Sequence, residues 1–455
     1  MGRKSVCKQD KRLPLAQAHR RAGRLKGALG LYRQILDSEP ENVAALVNLA
    51  EMTLELGQAE GAASMILRAL TCDPEDGQCC NVLDHILAAL KETGSQAQVL
   101  FEYSQILKEN GLWDKALVKH RQALRLNPAL ANTDNFESVS LLARGDLEQG
   151  WMAFEWRNTV GSLGLFTDKV WNGEDLSGKT ILVWGEQGIG DQIIFSTCLR
   201  DIIEQAGYVI IGTDERLVPL FERSFPTAAV QGVARYTANG ETRVQDFEWL
   251  EGHPPVDFFV LQGSLARFFR PSIESFPSMS NRLLGDPQRL KYWGRKLAEL
   301  GPGKKIGISW RSHLVERQSK YYPPLPLWQP LFNIKGAHFI SMQAGVAPKE
   351  IQMMKSSFGV DLTIFSYIDL IEDIDDAAAL CGSLDSVVTT MVSLQWLAAA
   401  VGTPVWSIAR GLRGSEWCML GQEHYPWFPE LNVCLEEADD LLERGFRRAA
   451  KEISP

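Results

Sequence analysis

Residues Thr180–Ile203, TILVWGEQGIGDQIIFSTCLRDII, constrain the fold more than any other stretch of the chain. A β-branched apolar run, Thr180 to Trp184, meets a turn rich in glycine (Gly185, Gly188, Gly190), and an amphipathic helical pattern follows. That order is strand, tight turn, helix. It sets backbone N–H groups and a helix N-terminus at the carboxyl end of a buried strand, where α/β folds seat phosphates. The glycines do not follow G-x-G-x-x-G, since position 193 is Ile, and no Lys follows as in a Walker loop. A dinucleotide-dependent oxidoreductase is therefore a remote reading. Asp191 stands at the mouth of the turn, an acid beside a phosphate seat.

Beyond Phe166 the chain alternates strand and helix patterns. Candidate strands are Thr180–Trp184, Tyr208–Thr213 and Val256–Leu261. After the break Gly301-Pro302-Gly303 a second series begins: Lys305–Trp310, His338–Gln343, Asp361–Phe365, Ser386–Thr390 and Val405–Ala409. Helices fit Pro348–Ser356, Asp375–Ser383, Ser393–Val401 and a terminal stretch, Glu436–Glu452. Alternation of this kind implies parallel sheets. Two such units in tandem predict two Rossmann-like α/β halves, residues 161–303 and 304–455, with ligands held at the carboxyl ends of strands from both.

The first third reads differently. Gly23 and Gly57 lie 34 residues apart, as do Pro40 and Pro74, and as do Gly111 and Gly145. GRLKGALGLYRQILDSEPEN, GQAEGAASMILRALTCDPED and GLWDKALVKHRQALRLNPAL repeat one text: glycine turn, alanine- and leucine-rich helix, proline stop. This resembles the tetratricopeptide repeat, whose period is about 34. Ala28, Ala62 and Ala116 would let helices approach closely, and Leu36, Leu70 and Leu124 would fill the seam. The interval from Pro74 to Pro128 is 54 residues rather than twice 34, so Gln78–Glu92 reads as a helix without a regular partner. Residues 1–160 are expected to form a helical repeat domain that presents a surface to peptides or proteins.

A net charge of −9 argues against a general nucleic-acid binder. The first 33 residues break the balance with ten Lys or Arg and one acid, Asp10, which reads as a frayed basic start and a solvated helix face, with a surface for an acidic partner or membrane headgroups as the alternative. No apolar leader precedes the repeats, and the best apolar stretch, Leu394–Ala409, is interrupted by Gly402 and Pro404. Of eight cysteines only Cys79 and Cys80 are close, without CxxC or Cys/His spacing. Zinc is not suggested, and unpaired thiols fit a reducing cytoplasm.

Four loops are expected to open into the cleft. The first is Gly185–Asp191. The second follows Trp310 and gathers Arg311, Ser312, His313, Arg317, Lys320 and Tyr322, cations and hydroxyls suited to a departing diphosphate. The third brings Gln343. The fourth, Thr389–Trp396, offers Ser393 at a helix N-terminus. The acidic run Asp369, Glu372, Asp373, Asp375 and Asp376 reads as the dipole-favoured start of a helix rather than a metal cluster. Trp406, Trp417, Trp427 and Phe428 are candidates for the cleft wall, although Trp406 reads better as core.

Together LVWGEQGIGDQIIFSTCLRDI, GISWRSHLVERQSKYYP, DIDDAAALCGSLDSVV, LAAAVGTPVWSIA and LGQEHYPWFP resemble bacterial tetratricopeptide-repeat proteins with a C-terminal GT-B domain similar to glycosyltransferase family 9, the heptosyltransferases. The resemblance implies an α-solenoid followed by a GT-B module of two Rossmann-like domains. It implies that Asp191 is the base for an acceptor hydroxyl. It further implies that Arg311, Ser312, Arg317 and Lys320 hold the diphosphate of a nucleotide-sugar donor, a co-substrate that needs neither cofactor nor metal; Gly188, Gly190, Tyr322, Gln343 and Ser393, from the loops expected to open into the cleft, complete the expected donor site. The acceptor it implies is a protein held by the repeats, flagellin or another surface protein, met in the cytoplasm. The chain departs from the heptosyltransferases where they carry Asp, Thr and His: Met391, Val392 and Trp396 stand there. That departure argues against ADP-heptose as donor. It also sustains an alternative, a catalytically inactive scaffold that mediates protein–protein interaction.

Overall fold

A computed structural model describes residues 10–91, 95–127, 130, 136–155, 166, 168–186, 188–233, 236–238, 241–243, 247–276, 283–312, 322–411, 416–436 and 438–454. The chain divides into two compact units, residues 1–140 and 141–455.

The first unit is a run of antiparallel helices: α1 (Arg12–Arg21), α2 (Leu25–Ser38), α3 (Val43–Glu55), α4 (Ala59–Leu70), α5 (Gly77–Leu90), α6 (Gln96–Glu109) and α7 (Trp113–Leu126). A further helix, α8 (Phe136–Ala143), straddles the boundary. The glycines at the 34-residue interval all take left-handed backbone: φ is +70° at Gly23, +74° at Gly57, +72° at Gly111 and +82° at Gly145. Each ends a helix in a conformation that costs glycine nothing, and this is why glycine marks the repeat. Ala28, Ala62 and Ala116 are fully buried between helices. Leu70 is buried as expected, whereas Leu36 and Leu124 are half-buried. Some of the basic start is spent on acids: Arg12 binds Asp10, and Arg20 reaches Glu51 and Glu55.

The second unit begins with α9 (Leu147–Phe154), expected among the repeats and found here in contact with the α/β core. Its first sheet contains β1 (Thr180–Trp184), β2 (Tyr208–Asp214), β3 (Ala229–Val233) and, after the β4–β5 hairpin (Tyr236–Ala238, Glu241–Arg243), β6 (Phe258–Leu261). The order is β3-β2-β1-β6, all parallel. Helices α10 (Ile189–Phe195), α11 (Leu199–Gln205), α12 (Val218–Ser224) and α13 (Leu265–Phe269) follow its strands, and α14 (Pro287–Ala298) leads to the second sheet.

That sheet holds β7 (Lys305–Ser309), β8 (His338–Ser341), β9 (Leu362–Thr363), β10 (Ser386–Thr389), β11 (Val405–Arg410) and β12 (Leu431–Glu436) in the order β12-β11-β10-β7-β8-β9. Its helices are α15 (Gln329–Phe332), α16 (Pro348–Phe358), α17 (Ile374–Gly382), α18 (Ser393–Ala400) and the terminal α19 (Asp439–Ile453). α19 buries Leu442, Phe446 and Ala449 against this sheet. The architecture is thus helical repeat followed by two doubly wound α/β domains.

β1 and β7 are buried at every position, which is the signature of central parallel strands covered on both faces. The strand orders reverse beside these same two strands, between β1 and β6 and between β7 and β10. Such reversals are where the connecting loops part and leave a crevice for ligand. One apolar core runs through both α/β domains: Ile193, Phe195, Leu380, Trp396, Leu397 and Trp427 share it. The two halves are therefore welded along part of their seam, not held apart by a continuous groove. Among the described residues, no helix is long and apolar enough to cross a membrane.

Candidate functional site

The first crevice is organised by a buried amide. Gln192, in the first turn of α10, donates Nε2–H to the Glu186 carbonyl at 2.6 Å. Its Oε1 accepts from Thr213 Oγ1 at 2.7 Å and from the Asp214 N–H at 3.1 Å. Gln192 thereby ties the glycine turn to the end of β2. Gly185 must be glycine here, because a Cβ would sit 2.8 Å from Gln192 Oε1 and 3.0 Å from the Gly212 carbonyl. Glu186 reaches across the β1–β6 reversal and accepts the Gly263 N–H at 2.8 Å, so one amide at that crevice is already satisfied by a carboxylate. Gly188 stands at the start of α10, and Asp191 folds back over it with Oδ2 3.0 Å from the site of a Gly188 Cβ. Gly190 answers to packing: a Cβ there would lie 3.2 Å from Trp396 Cδ1 and 3.7 Å from Ser393 Cβ. The glycine turn of one half thus rests on the start of α18 in the other, bringing Gly188, Gly190, Asp191 and Ser393 into one neighbourhood.

The second crevice is more elaborately braced. Gln343, 3% exposed, turns Oε1 onto the Trp310 and Arg311 N–H groups, both at 3.0 Å. Amides at the end of β7 that could have met a phosphate are held by this side chain. Arg311 makes a two-pronged pair with Glu350, Nε to Oε1 and Nη2 to Oε2, each at 2.7 Å, and also donates to the Gly345 carbonyl at 2.8 Å. Glu350 additionally accepts from Trp310 Nε1 at 2.9 Å and from the Ala347 N–H at 2.8 Å. Burial works to raise the Glu350 carboxyl, but the Arg311 guanidinium and these N–H donors outweigh it and hold it at about 2. The Arg311 guanidinium is pushed up in turn, chiefly by its bond to Glu350. Arg311 is accordingly a brace between the loops after β7 and β8. Ser312 lends its carbonyl to Arg311 Nη1 at 3.2 Å, and Tyr322 is half-buried. His313, Arg317 and Lys320 lie outside the described residues.

On the other side of the β7–β10 reversal lies the start of α18. Val392 is extended (φ −136°, ψ 165°) and supplies no side-chain cap, and Ser393 is exposed at the first helical position. An uncapped N-terminus concentrates unsatisfied N–H groups and positive dipole. Just before it, Thr390 is fully buried and its Oγ1 has no hydrogen-bond partner among the described residues. The Thr390 N–H bonds to the Ser309 carbonyl at 3.1 Å, so the loops after β7 and β10 leave the sheet side by side. Trp396 is buried, edge-on to Tyr425 at 4.8 Å, and fills space against Gly190.

The aromatic candidates are mostly core. Trp406 is 3% exposed beneath Arg448. Trp427 is fully buried, edge-on to Phe195 at 5.3 Å and Phe276 at 4.9 Å. Phe428 is buried, and Trp417, half-buried, stacks on Phe195. The acidic run is paired with cations and amides. Asp373 caps α17 through the Asp376 N–H at 2.9 Å, Asp375 meets Arg223 and Arg289, and Asp376 accepts from Trp293 Nε1 at 2.8 Å. Arg223 comes from α12, so its pair with Asp375 is a second clasp between the halves.

Residues 13–77 match the tetratricopeptide repeat family. Over 440 residues the chain is 31% identical to protein FlbA of Caulobacter vibrioides, covering 91% of this chain and 73% of that protein. The chain belongs to the FlbA family. The FlbA-type chain is also similar to two solved structures. One is a glycosyl transferase of family 9 from Veillonella parvula, at 12% identity, 62% of this chain, 99% of that chain and TM-score 0.46. The other is an O-GlcNAc transferase from Thermobaculum terrenum, at 13% identity, 97% of this chain, 93% of that chain and TM-score 0.24.

Proposed function

We propose that this FlbA-family chain is a glycosyltransferase that moves a sugar from a nucleotide donor to a protein acceptor engaged by the repeats. One observation carries the reading. The uncapped start of α18, with Ser393 exposed and the Thr390 hydroxyl without a partner among the described residues, stands at the β7–β10 reversal and abuts the glycine turn that bears Asp191. An anion seat and a carboxylate base are what transfer from a nucleoside diphosphate sugar requires.

In this scheme the N–H groups of α18 and Ser393 hold the diphosphate, and Arg317 and Lys320 add positive charge as it leaves. Asp191 removes the proton of the acceptor hydroxyl while the anomeric carbon exchanges its bond to the phosphate oxygen for one to the acceptor oxygen. Gly188 and Gly190 keep side chains out of the junction. Arg311 and Gln343 act by shaping the loop after β7, with Ser312 and Tyr322 on the same loop. No metal is needed in this scheme. A cytoplasmic setting fits a nucleotide-sugar donor, and flagellin or another surface protein fits the acceptor class. The test is thermal shift of the full chain against nucleoside diphosphates and their sugar conjugates. A donor that binds raises the melting temperature, whereas a flat response across the panel overturns the reading.

A scaffold that has lost transfer is the second reading. Arg311 and Gln343 are consumed by protein partners, and Trp396 fills the junction where heptosyltransferases carry His. It predicts protein partners without any nucleotide response.

A further inference from the structure

The repeat rhythm breaks once, and the break leaves a groove. α1 packs along α2, and α3 along α4. α5 rests on α3 and α4, but the next helix, α6, packs along α7 in place of α5. Among the described residues, α5 lacks the following helix that packs along each earlier first helix. There α5, α6 and α7 line an open groove of about 440 Å³. Leu87, Leu100 and Leu126 give it apolar ground, and Lys91, Lys119 and Arg125 give it a positive rim against the single acid Asp84. Leu126 is 54% exposed. Elsewhere on α7, Lys115 and Arg121 are neutralised by Glu75 and Glu137. Among the described residues, Lys91, Lys119 and Arg125 have no carboxylate partner; Lys119 lies over the Tyr103 ring at 5.8 Å.

We infer that this groove binds an acidic amphipathic helix from a partner protein. A helix laid along the groove meets walls that are themselves helices, its inward side chains filling the space between them. α5 has 14 residues, roughly 21 Å, which sets an occupant of three to four turns. Aliphatic side chains at helical spacing meet Leu87, Leu100 and Leu126, and flanking carboxylates meet Lys91, Lys119 and Arg125. The inference is independent of sugar transfer: the occupant need not be the acceptor.

The test uses the full chain and a fluorescein-labelled helical peptide of about 16 residues, with Leu on one face and Glu on both flanks. A second peptide carries Lys in place of every Glu. Fluorescence anisotropy should show the Glu peptide binding at least about tenfold tighter than the Lys peptide, with affinity falling as salt rises. The variant Lys91→Glu/Lys119→Glu/Arg125→Glu should reverse the preference with an unchanged melting curve, since all three side chains lie at the rim. Equal binding of both peptides, or wild-type preference in that variant, overturns the inference. So does sedimentation showing self-association that the triple variant abolishes, which would assign the groove to a second copy of the chain. Stabilisation by nucleotide should be the same in wild type and triple variant, so loss of peptide binding and loss of donor binding are separately visible.

Discussion

Glu350 illustrates how a side chain outside the expected site sets the site's shape. Its folded carboxyl sits at about 2 against an ordinary 4.5, so its contribution to stability is complete above pH ~4.5 and is lost as pH falls toward 2. Glu350→Gln should cost roughly 2–3 kcal/mol near neutral pH, and the difference from wild type in denaturant melts should shrink in acid. A constant difference across that window would contradict the role. The proposed function gives Asp191 a different task. Asp191→Ala should lower transfer at least about a hundredfold with an unchanged melting temperature, and unaltered transfer would remove it as the base. The glycine turn was legible in sequence because strand, turn and helix are contiguous. The work of Gln343 and Glu350 was not, because each satisfies groups some 30 or more residues away, a pairing visible only once β7 and β8 lie side by side.

Among the elements, the central strands announce themselves by continuous apolar runs, and β1, β2, β7, β8, β10 and β11 were read within a residue or two. β3 and β12 were not anticipated. Both are edge strands, half-exposed at most positions, and AVQGV and LNVCLE lack an apolar run. The 34-residue interval at Gly145 places α9 among the repeats, yet Trp151 donates Nε1–H to the Arg270 carbonyl at 2.8 Å within the α/β unit. Gly57 tests the turn argument cleanly: nothing lies within 4 Å of a Cβ there, so only backbone strain opposes substitution. Gly57→Ala should cost about 1 kcal/mol in a denaturant melt; no loss would contradict the left-handed assignment. Gly190→Leu should instead wedge α10 from α18, lowering both melting temperature and nucleotide response. A normal response would separate that contact from the donor site.

On the scale of the molecule, the chain joins a helical repeat unit to an α/β unit of two parallel sheets, and the proposed function gives partners to the first and a nucleotide sugar to the second. The order of strands supports the functional reading more than any single residue, because it sets a reversal beside the central strand of each sheet, where the loops part. The most direct measurement is release of nucleoside diphosphate when the full chain is incubated with a panel of sugar nucleotides, comparing wild type with Asp191→Ala. Sugar transfer requires release from at least one donor, well above the blank and lost in the variant. No release from any donor, with no donor bound, would contradict it.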